Sequence, residues 1–370
     1  MHSMITKRFK HEIQPWLDVN ERIITRQNKS DSPNKGVPEN PALQCLPQAI
    51  YKAHQRYIER FLQPSIQEHT QPVVLFIVQE GETNTVDQRM LEFHLFQNHG
   101  LSVIRMSLNH VFEHVTLNEE TGALFVFEEG QKREVSIVYF RAGYAPTDYP
   151  DGDHGNQWKA RERLERSRAT KCPSLGYHLA GTKKVQQSVA RPGVLERFFN
   201  MNDPLEQAMV QSMRQSFAGL YSLGEDATKE DLNVVKDIVL SGHEGNYVLK
   251  PQREGGGYNY YGHNLAKKLR ENVDTSEDGI NLDQTLAEFI LMERLFPPSQ
   301  DAILIRGGLV EGIGKTISEL GCFGSILVSY DGARTFHNEY AGFLLRTKFN
   351  GVDEGGVASG FATLSSPYLC

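Results

Sequence analysis

The sequence predicts an α/β protein, or α+β in the broader sense, with two kinds of β-sheet. From about Pro72, short β-branched runs alternate with helical patterns, which is typical of an open, doubly wound sheet. Later apolar runs are separated only by short turns such as Asp331-Gly332, which indicates a mostly antiparallel sheet. With 370 residues, of which 39% are hydrophobic, the chain can bury more than one core. We therefore expect two or three domains.

The N-terminal part, up to about residue 70, has a helix-rich pattern. In residues 46–61, apolar side chains recur at helical spacing, and this stripe needs a partner to cover it. Residues 28–41 are dense in turn formers and predict a loop. We interpret the whole segment as one piece of a domain.

The middle of the chain supplies the elements of the predicted open sheet. Runs at 73–78, 101–106, 124–127 and 135–140 predict strands, and a helical pattern at 87–99 separates the first two. This order favours a sheet with helices between its strands.

The charged run at 158–171 mixes residues of both signs that favour helices. We interpret it as a solvated helix; an RNA-contacting surface is the alternative. The whole chain has 46 acidic and 39 basic residues, a net charge of −7, and so offers no broad basic face for nucleic acid or anionic lipid. We expect the partner to be a small molecule.

The later elements belong to the predicted antiparallel sheet. A helix is expected to begin at Thr228, where an acid follows three positions later at Asp231. A strand follows at 247–249. Further strands are predicted at 289–292, 303–305, 316–320 and 325–328.

No sequence feature indicates a membrane or secreted protein. The longest apolar run, at 73–78, is far shorter than the ~20 residues of a membrane-spanning helix, and no apolar signal region follows the charged N-terminus. The cysteines lie far apart without any Cys-x-x-Cys, which indicates reduced thiols instead of a disulfide framework or zinc site: Cys45, Cys172, Cys322 and Cys370. We expect a cytosolic protein.

A glycine-rich loop is the main functional motif. Residues 250–257 read Lys-Pro-Gln-Arg-Glu-Gly-Gly-Gly directly after the strand at 247–249. The glycines allow a tight turn that presents backbone N–H groups to an anion. Lys250 and Arg253 add positive charge, and Glu254 offers an oxygen ligand for Mg²⁺. A flexible turn is the alternative for the glycine triplet alone, but the combination predicts a site for nucleotide phosphates with a metal.

Two other nucleotide-binding motifs are rejected. Residues 308–316 resemble a Walker A loop, but Leu309 stands where its first glycine is required, and a strand is predicted to follow. A dinucleotide-binding fingerprint that uses Gly255 and Gly257 would need a third glycine where Tyr260 stands. The sequence also lacks His-Glu-x-x-His, Gly-x-Ser-x-Gly and Cys–His patterns that would favour hydrolysis.

Several ordered motifs carry a resemblance to a known family. They lie at 84–88, 138–144, 180–187, 247–257, 290–293, 317–321, 344–348 and 354–360. In order and spacing they closely resemble eukaryotic-type glutathione synthetase, from about residue 70 onwards. The resemblance implies an ATP-grasp domain with an antiparallel sheet and an inserted open α/β substrate-binding domain. The implied division is a helical part at 1–71, the substrate-binding domain at 72–182 and the ATP-grasp domain, with its glycine-rich lid, at 183–370.

The resemblance also implies an activity. ATP would activate a carboxylate of γ-glutamylcysteine as an acyl phosphate, and the amine of glycine would then displace phosphate to give glutathione. Such a reaction depends on positioned cations and Mg²⁺ and needs no protein nucleophile, in agreement with the lack of a triad pattern. The resemblance also implies a homodimer.

The ATP site is carried over from the family residue by residue. Lys183 and Lys250 resemble phosphate ligands, and Lys183 follows a predicted helix start that would favour an anion. Arg346 and Lys250 are the implied catalytic residues, and Glu254 is the implied metal ligand. The full ATP set is Lys183, Lys250, Glu254, Gly255, Gly256, Gly257, Asn259, Tyr261, Met292, Glu293, Arg294, Leu295, Glu319, Lys348 and Glu354.

Each of these positions also has a simpler interpretation. Without the resemblance, Lys183 is an exposed lysine, Tyr261 a packing residue and Glu319 a surface acid. The apolar stretch at 292–295 would then belong to a core.

The dipeptide site is implied in the same way. Arg141 is suited to clamp a carboxylate. Arg346 and Lys348 are two residues apart, so on a strand they share a face; a charged edge strand is the alternative. The full set is Glu82, Thr83, Asn84, Thr85, Gln88, Arg141, Ala142, Gly143, Tyr144, Arg346, Val357 and Ala358.

The sequence departs from the family in three places. The family's Glu-x-Asn-Thr-x-Ser motif, which supplies two Mg²⁺ ligands, has no counterpart in these residues, so we expect the family's N-terminal portion to be missing. Tyr258 stands where the family usually has Asn, and Ala142 where it often has an acid. The alternative function is a non-catalytic derivative that binds nucleotide or dipeptide, or that pairs with a full-length synthetase.

Overall fold

The computed structural model of the protein describes residues 36–62, 71–128, 130–252, 258–276, 279–357, 359–367 and 369. The chain forms two compact units. The first contains residues up to 175 together with 299–350 and 355–370, and the second contains 176–298 and 351–354. The predicted α/β class is confirmed, and the division at 71 and 182 stays a prediction. Most of the predicted loop at 28–41 lies outside the described residues.

An open sheet forms the centre of the first unit. Its described strands are β1 (Val73–Ile77), β2 (Val103–Met106), β3 (Val115–Leu117), β4 (Leu124–Glu128), β5 (Gln131–Phe140) and β6 (Thr170–Cys172). β1 lies between β2 and β5 and is parallel to both, β6 is parallel to β5, and β3 and β4 are antiparallel. The described helices of this region are α1 (Ala42–Phe61), α2 (Val86–His99), α3 (Leu108–His114) and α4 (Asn156–Arg166).

Both faces of this sheet are covered, which explains why β1 is apolar throughout. Val73, Leu75 and Ile77 pack into one buried cluster, whereas Val74 and Phe76 pack into another on the opposite face. A strand that is buried on both faces is expected to be continuously hydrophobic.

The predicted helix at 158–171 is shorter in the structure. α4 ends at Arg166, and the Ser167 hydroxyl donates a hydrogen bond to the Leu164 carbonyl at 2.7 Å. A serine that bonds the backbone of its own last turn competes with continued helix. Residues Thr170–Cys172 then join the sheet as β6.

The second unit contains a sheet of short strands with helices around it. Its described strands are β7 (Leu220–Ser222), β8 (Tyr247–Pro251), β9 (Tyr260–Tyr261), β10 (Val273–Ser276), β11 (Gly279–Leu282) and β12 (Phe289–Glu293). The order β7-β12-β8-β9 is antiparallel, and β10 pairs with β11. The described helices are α5 (Leu175–Ala180), which starts at the last residue of the first unit, α6 (Lys183–Ala190), α7 (Pro204–Gln215), α8 (Lys229–Ser241) and α9 (Gly262–Glu271).

The predicted start of α8 is confirmed. The Thr228 hydroxyl accepts from the Asp231 backbone N–H, and the Asp231 carboxylate accepts from the Thr228 backbone N–H, so the two form a capping box. In the described part of the chain, no helix has the length and apolar character needed to cross a bilayer.

A second, antiparallel sheet belongs to the first unit. Its strands are β13 (Gln300–Arg306), β14 (Leu309–Val328), β15 (Thr335–Phe349) and β16 (Thr363–Ser365), in that order. The sequence predicted two short strands where the structure has the single strand β14. A bulge between Phe323 and Gly324 lets this strand continue past its glycines. The strand after Gly308 confirms that residues 308–316 are not a Walker A loop, which requires a helix there.

Candidate functional site

The carboxyl ends of three parallel strands meet at one edge of the open sheet. The chain leaves β1 for β2 on one side, whereas β5 pairs with β1 on the other side. In open α/β sheets, ligands bind outside such a switch point. The loops that follow β1 and β5 contain the predicted dipeptide residues at 82–88 and 141–144.

Glu82 organises the loop after β1. Its Oε1 accepts a hydrogen bond from the Asn84 backbone N–H at 2.7 Å, and its Oε2 accepts one from the Gln88 side-chain amide at 2.9 Å. Gln88 is fully buried in the first turn of α2. Thr83 and Asn84 are exposed, and Thr85 is the N-cap residue of α2. The structure therefore brings these predicted residues together.

Arg141 follows β5 directly and is half-buried. Its Nη2 lies 2.8 Å from Asp87 Oδ2. Burial would lower the pKa of Arg141, but Tyr139 and Asp87 more than offset it, so the pKa is raised. The guanidinium is thus held as a cation, and a substrate carboxylate would compete with Asp87 for it. Ala142 beside it is buried, and Tyr144 is exposed.

Asp148 organises the loop after β5. Its Oδ2 accepts hydrogen bonds from the backbone N–H groups of Gly143, Tyr144 and Ala145 at 2.8, 3.1 and 3.1 Å. Gly143 has φ +91°, and a Cβ there would lie 3.1 Å from Arg161 Nη1. Glycine is therefore required at this position, and the loop geometry is closely determined.

Charged residues lie opposite each other on two paired strands of the second sheet. Glu319 of β14 lies directly opposite Arg346 of β15, and their side chains form an ion pair. Lys348, two residues beyond Arg346 on the same strand, shares its face. β15 lies between β14 and β16, so the alternative of a charged edge strand is wrong for Arg346. Val357 is half-buried.

The predicted phosphate ligands of the second unit lie on two different elements. Lys183 is the first residue of α6, whose N-cap Thr182 accepts a hydrogen bond from the Val185 N–H at 3.4 Å. Lys250 lies in β8 and pairs with Ile290 of β12. The helix start that we predicted near Lys183 is therefore confirmed.

The next residue along α6 has a fixed partner. Lys184 Nζ lies 2.7 Å from Asp226 Oδ1, and Arg191 Nη2 lies 2.9 Å from Asp226 Oδ2. Burial would raise the pKa of Asp226, but Lys184, Ser222 and Arg191 offset this and lower it to about 2. The carboxylate therefore holds the first turn of α6 in place.

Residues from distant parts of the chain meet beside β9. Asn259 Nδ2 donates to Glu354 Oε1 at 3.0 Å, and the Tyr261 hydroxyl donates to the Asp353 carbonyl at 3.5 Å. Arg294 Nη2 lies 2.7 Å from Asp353 Oδ1, and its guanidinium lies 5.2 Å from the centre of the Tyr261 ring. Burial, followed by the charge of Glu354, raises the pKa of Tyr261. Four of the predicted ATP residues thus form one cluster.

The predicted adenine segment continues from β12. Met292 is half-buried and pairs with Val248 of β8. Glu293 is exposed, and its Oε2 accepts a hydrogen bond from the Gly219 N–H at 2.8 Å. Leu295 is 76% exposed, so it is not a core residue in this unit.

Six predicted residues lie outside the described ranges: Arg253, Glu254, Gly255, Gly256, Gly257 and Ala358. Within those ranges, no group of three or more His, Cys, Asp or Glu side chains is arranged to bind a metal. A Mg²⁺ that accompanies nucleotide phosphates needs only one or two carboxylates. Among the described site residues, Glu354 offers one such carboxylate, whose Oε1 accepts a hydrogen bond from Asn259 at 3.0 Å.

Four side chains of the candidate site were not predicted from the sequence. Two had a signal that could have found them: Arg105 is a cation within the apolar run at 101–106, and Asp87 lies inside the motif at 84–88. Asp148 and Asp353 had none, because an acid among turn formers is also typical of an ordinary surface loop.

Comparison with known proteins identifies related chains. The family described as "Eukaryotic glutathione synthase, ATP binding domain" matches residues 9–369. A chloroplastic glutathione synthetase of Solanum lycopersicum is 40% identical over 93% of this chain and 56% of its own length. The glutathione synthetase of Dictyostelium discoideum is 41% identical over 80% of this chain and 58% of its own length. The chain thus spans little more than half the length of these curated relatives.

A solved structure supports the fold. The apo form of a glutathione synthetase-like effector from Globodera pallida superposes with a TM-score of 0.62 and covers 90% of this chain and 62% of its own. The two sequences are 16% identical, so this similarity concerns the fold alone.

Proposed function

The chain belongs to the eukaryotic glutathione synthase family, and we propose on this basis that it acts as an ATP-dependent carbon–nitrogen ligase that forms glutathione. Its substrates are then γ-glutamylcysteine, glycine and ATP. The geometry that carries the proposal is the cluster beside β9, where Asn259 and Glu354, 95 positions apart, lie within 3.0 Å. This proximity supports the proposal, because both residues resemble ATP-binding positions of the family.

The proposed reaction has two steps, and candidate side chains serve the first of them. A carboxylate oxygen of γ-glutamylcysteine attacks the γ-phosphorus of ATP, the bond to ADP breaks, and an acyl phosphate forms. The glycine amine then attacks the acyl carbon, phosphate leaves with the bonding electrons, and the amine gives up a proton. Arg346 orients the dipeptide carboxylate, and Lys183 and Lys250 offset the negative charge of the phosphates.

Magnesium is part of the proposal. Glu254, with Glu354 as a second oxygen donor, would hold a Mg²⁺ against the ATP phosphates, where the ion offsets phosphoryl charge.

Arg346 already forms an ion pair with Glu319, so a substrate carboxylate that binds Arg346 must replace that partner.

The test is glycine-dependent phosphate release from ATP in the presence of γ-glutamylcysteine and Mg²⁺. Release should need all three substrates, and Lys250→Met should reduce it at least ~100-fold, because removal of a transition-state charge typically costs about 3 kcal/mol. The matched control is Lys229→Met, an exposed lysine at the start of α8.

A folded chain that binds ATP and dipeptide but releases no phosphate above background would contradict catalysis. That outcome would favour the non-catalytic alternative, in which the chain binds ligands or pairs with a full-length synthetase.

We further propose a cytosolic homodimer. In the part of the chain that the structure describes, Cys45, Cys172 and Cys322 are not disulfide-bonded, which agrees with a reducing compartment. Light scattering of the purified chain measures its mass against the 41.8 kDa of one copy. Cell fractionation tests the compartment. Recovery in a plastid fraction, the location named for the tomato relative, would contradict the cytosolic proposal.

A further inference from the structure

Arg105 is a half-buried charged residue on the edge strand of the open sheet. It lies near the carboxyl end of β2, where it pairs with Phe76 of β1 in the parallel register. Its neighbour Ile104 is buried in the opposite face. A cation among apolar strand residues loses hydration, so it is expected to have a specific partner.

The partner is Gln88. Arg105 Nη2 donates to Gln88 Oε1 at 2.6 Å, and Gln88 itself is fully buried. The Gln88 amide nitrogen donates onward to Glu82 Oε2, whose other oxygen accepts the Asn84 backbone N–H. A chain of hydrogen bonds therefore runs from β2, through α2, to the loop after β1.

The guanidinium determines which groups donate and which accept along this series of hydrogen bonds. Arginine has only donors, so it must face the amide oxygen of Gln88 and thereby turns the amide NH₂ towards Glu82. If the amide flipped, its oxygen would face the Glu82 carboxylate and its NH₂ would face a donor. Arg105 thus determines the orientation of two side chains that belong to the predicted dipeptide site.

Other groups around Arg105 act on it through their charge. Burial, followed by the charge of Arg89, lowers the pKa of Arg105, whereas the charges of Glu92, Glu82 and Asp87 partly offset this. Its Nη1 is buried, with no hydrogen-bond partner in the described part of the chain. The hydrogen bond to Gln88 is therefore the contact that gives its guanidinium a direction.

We infer that Arg105 is a positioning residue of the dipeptide site, which acts through Gln88 and does not contact the substrate. The inference rests on the proposed function, because it concerns the binding of γ-glutamylcysteine. It predicts that Arg105 sets the affinity for the dipeptide and leaves the affinity for ATP unchanged.

The test measures both affinities by calorimetry in a double-mutant cycle of Arg105→Met and Gln88→Ala. Arg105→Met should weaken γ-glutamylcysteine binding at least tenfold, as expected for a charged hydrogen bond, with ATP binding within twofold of wild type. The double variant should bind the dipeptide no more weakly than Gln88→Ala alone. Arg105→Lys, which keeps one donor, should recover part of the affinity.

The matched control is Arg56→Met. Arg56 is an exposed arginine of α1 that pairs with Glu59 at 2.5 Å, so its removal should leave both affinities unchanged. A second readout needs no ligand: exchange of the Asn84 amide hydrogen should be faster to the same degree in Arg105→Met and in Gln88→Ala.

The outcomes separate the inference from the proposed function. If wild type binds the dipeptide and Arg105→Met binds it equally well, or if the two losses add, the positioning role is overturned and the proposed function stands. If Arg105→Met weakens ATP binding as much as dipeptide binding, Arg105 is merely structural and the inference fails. If wild type does not bind γ-glutamylcysteine, the proposed substrate and the positioning role both fail.

Discussion

The loops after β1 and β5 in the first unit and the cluster beside β9 in the second unit are held by different means. In the first unit, the loops after β1 and β5 are fixed by Gln88, which is fully buried, and by Asp148, which accepts three backbone N–H groups. In the second unit, the cluster beside β9 is held by the ion pair of Arg294 and Asp353, whose side chains are 28% and 43% exposed.

The difference predicts which substitutions will lower stability or binding affinity most. Buried polar groups lose their full solvation when a partner is removed, whereas exposed ion pairs are already screened by water. We therefore expect large losses in the first unit and small ones in the second, and the following variants measure that contrast.

The largest effect is expected for Gly342→Ala in β15. Gly342 has φ +112°, and a Cβ there would lie 2.7 Å from both Ala42 Cβ and Asn40 Oδ1. Backbone strain and overpacking together should lower the free energy of unfolding by about 4 kcal/mol in urea titrations. The control is Gly332→Ala, where φ is +70° but no atom lies within 4 Å, so about 1 kcal/mol is expected. Equal losses in the two variants would contradict the packing argument.

The second effect is a pH dependence from His54. Its Nδ1 bonds Ser136 Oγ at 2.8 Å, its Nε2 is buried without a hydrogen-bond partner among the described residues, and burial lowers its pKa from 6.5 to about 4. As pH falls from 6.5 towards 4, the unfolded chain takes up a proton that the folded chain excludes. Stability should therefore fall, by about 3 kcal/mol over the full window.

Urea titrations across this pH window test the dependence on His54. His54→Gln should remove most of the slope, whereas the same change at exposed His114 should leave it. A wild-type slope retained by His54→Gln would assign the dependence to other groups.

The third effect concerns Asp148. Asp148→Ala removes the acceptor for three N–H groups of the loop at 143–145, so calorimetry should show γ-glutamylcysteine binding weakened about 30-fold, or about 2 kcal/mol. Asp148→Asn keeps one acceptor oxygen and should lose less. The exposed Asp153→Ala is the control, with no change expected. An unchanged affinity in Asp148→Ala would show that the loop keeps its shape without the carboxylate.

The smallest effect is expected in the second unit. Asp353→Ala removes the partly exposed ion pair with Arg294 and should change the free energy of unfolding by less than about 1 kcal/mol. High salt should reduce the difference in stability between wild type and variant, because it screens this ion pair in the wild type alone. A loss of more than about 2 kcal/mol in the free energy of unfolding would contradict the expectation of small losses in this cluster.

Local signals in the sequence were sufficient for much of the fold. The capping box of Thr228 and Asp231 involves residues three apart, so the start of α8 could be predicted from the local sequence. The continuity of β14 could not be predicted, because Gly321 and Gly324 interrupt its pattern. Its long pairing with β15 keeps the segment extended. Tertiary pairing overrides local preference in such strands.

For the candidate site, the sequence suggested residues but not their contacts. The shared face of Arg346 and Lys348 follows from the period of a strand. The contact of Asn259 with Glu354, and that of Arg105 with Gln88, depend on how strands and helices are placed in space. No local pattern specifies those placements, so the roles of the site residues stay predictions that binding measurements must test.

The turn between β14 and β15 offers a practical handle for such measurements. Tyr330 is fully exposed there, and Gly332 has no neighbouring atom within 4 Å of its built Cβ position. Exposed turn tips with few contacts accept inserted segments and attached labels better than other sites. A fluorophore or an affinity tag placed at residues 330–332 would leave the paired length of the hairpin, which ends at Val328 and Thr335, intact.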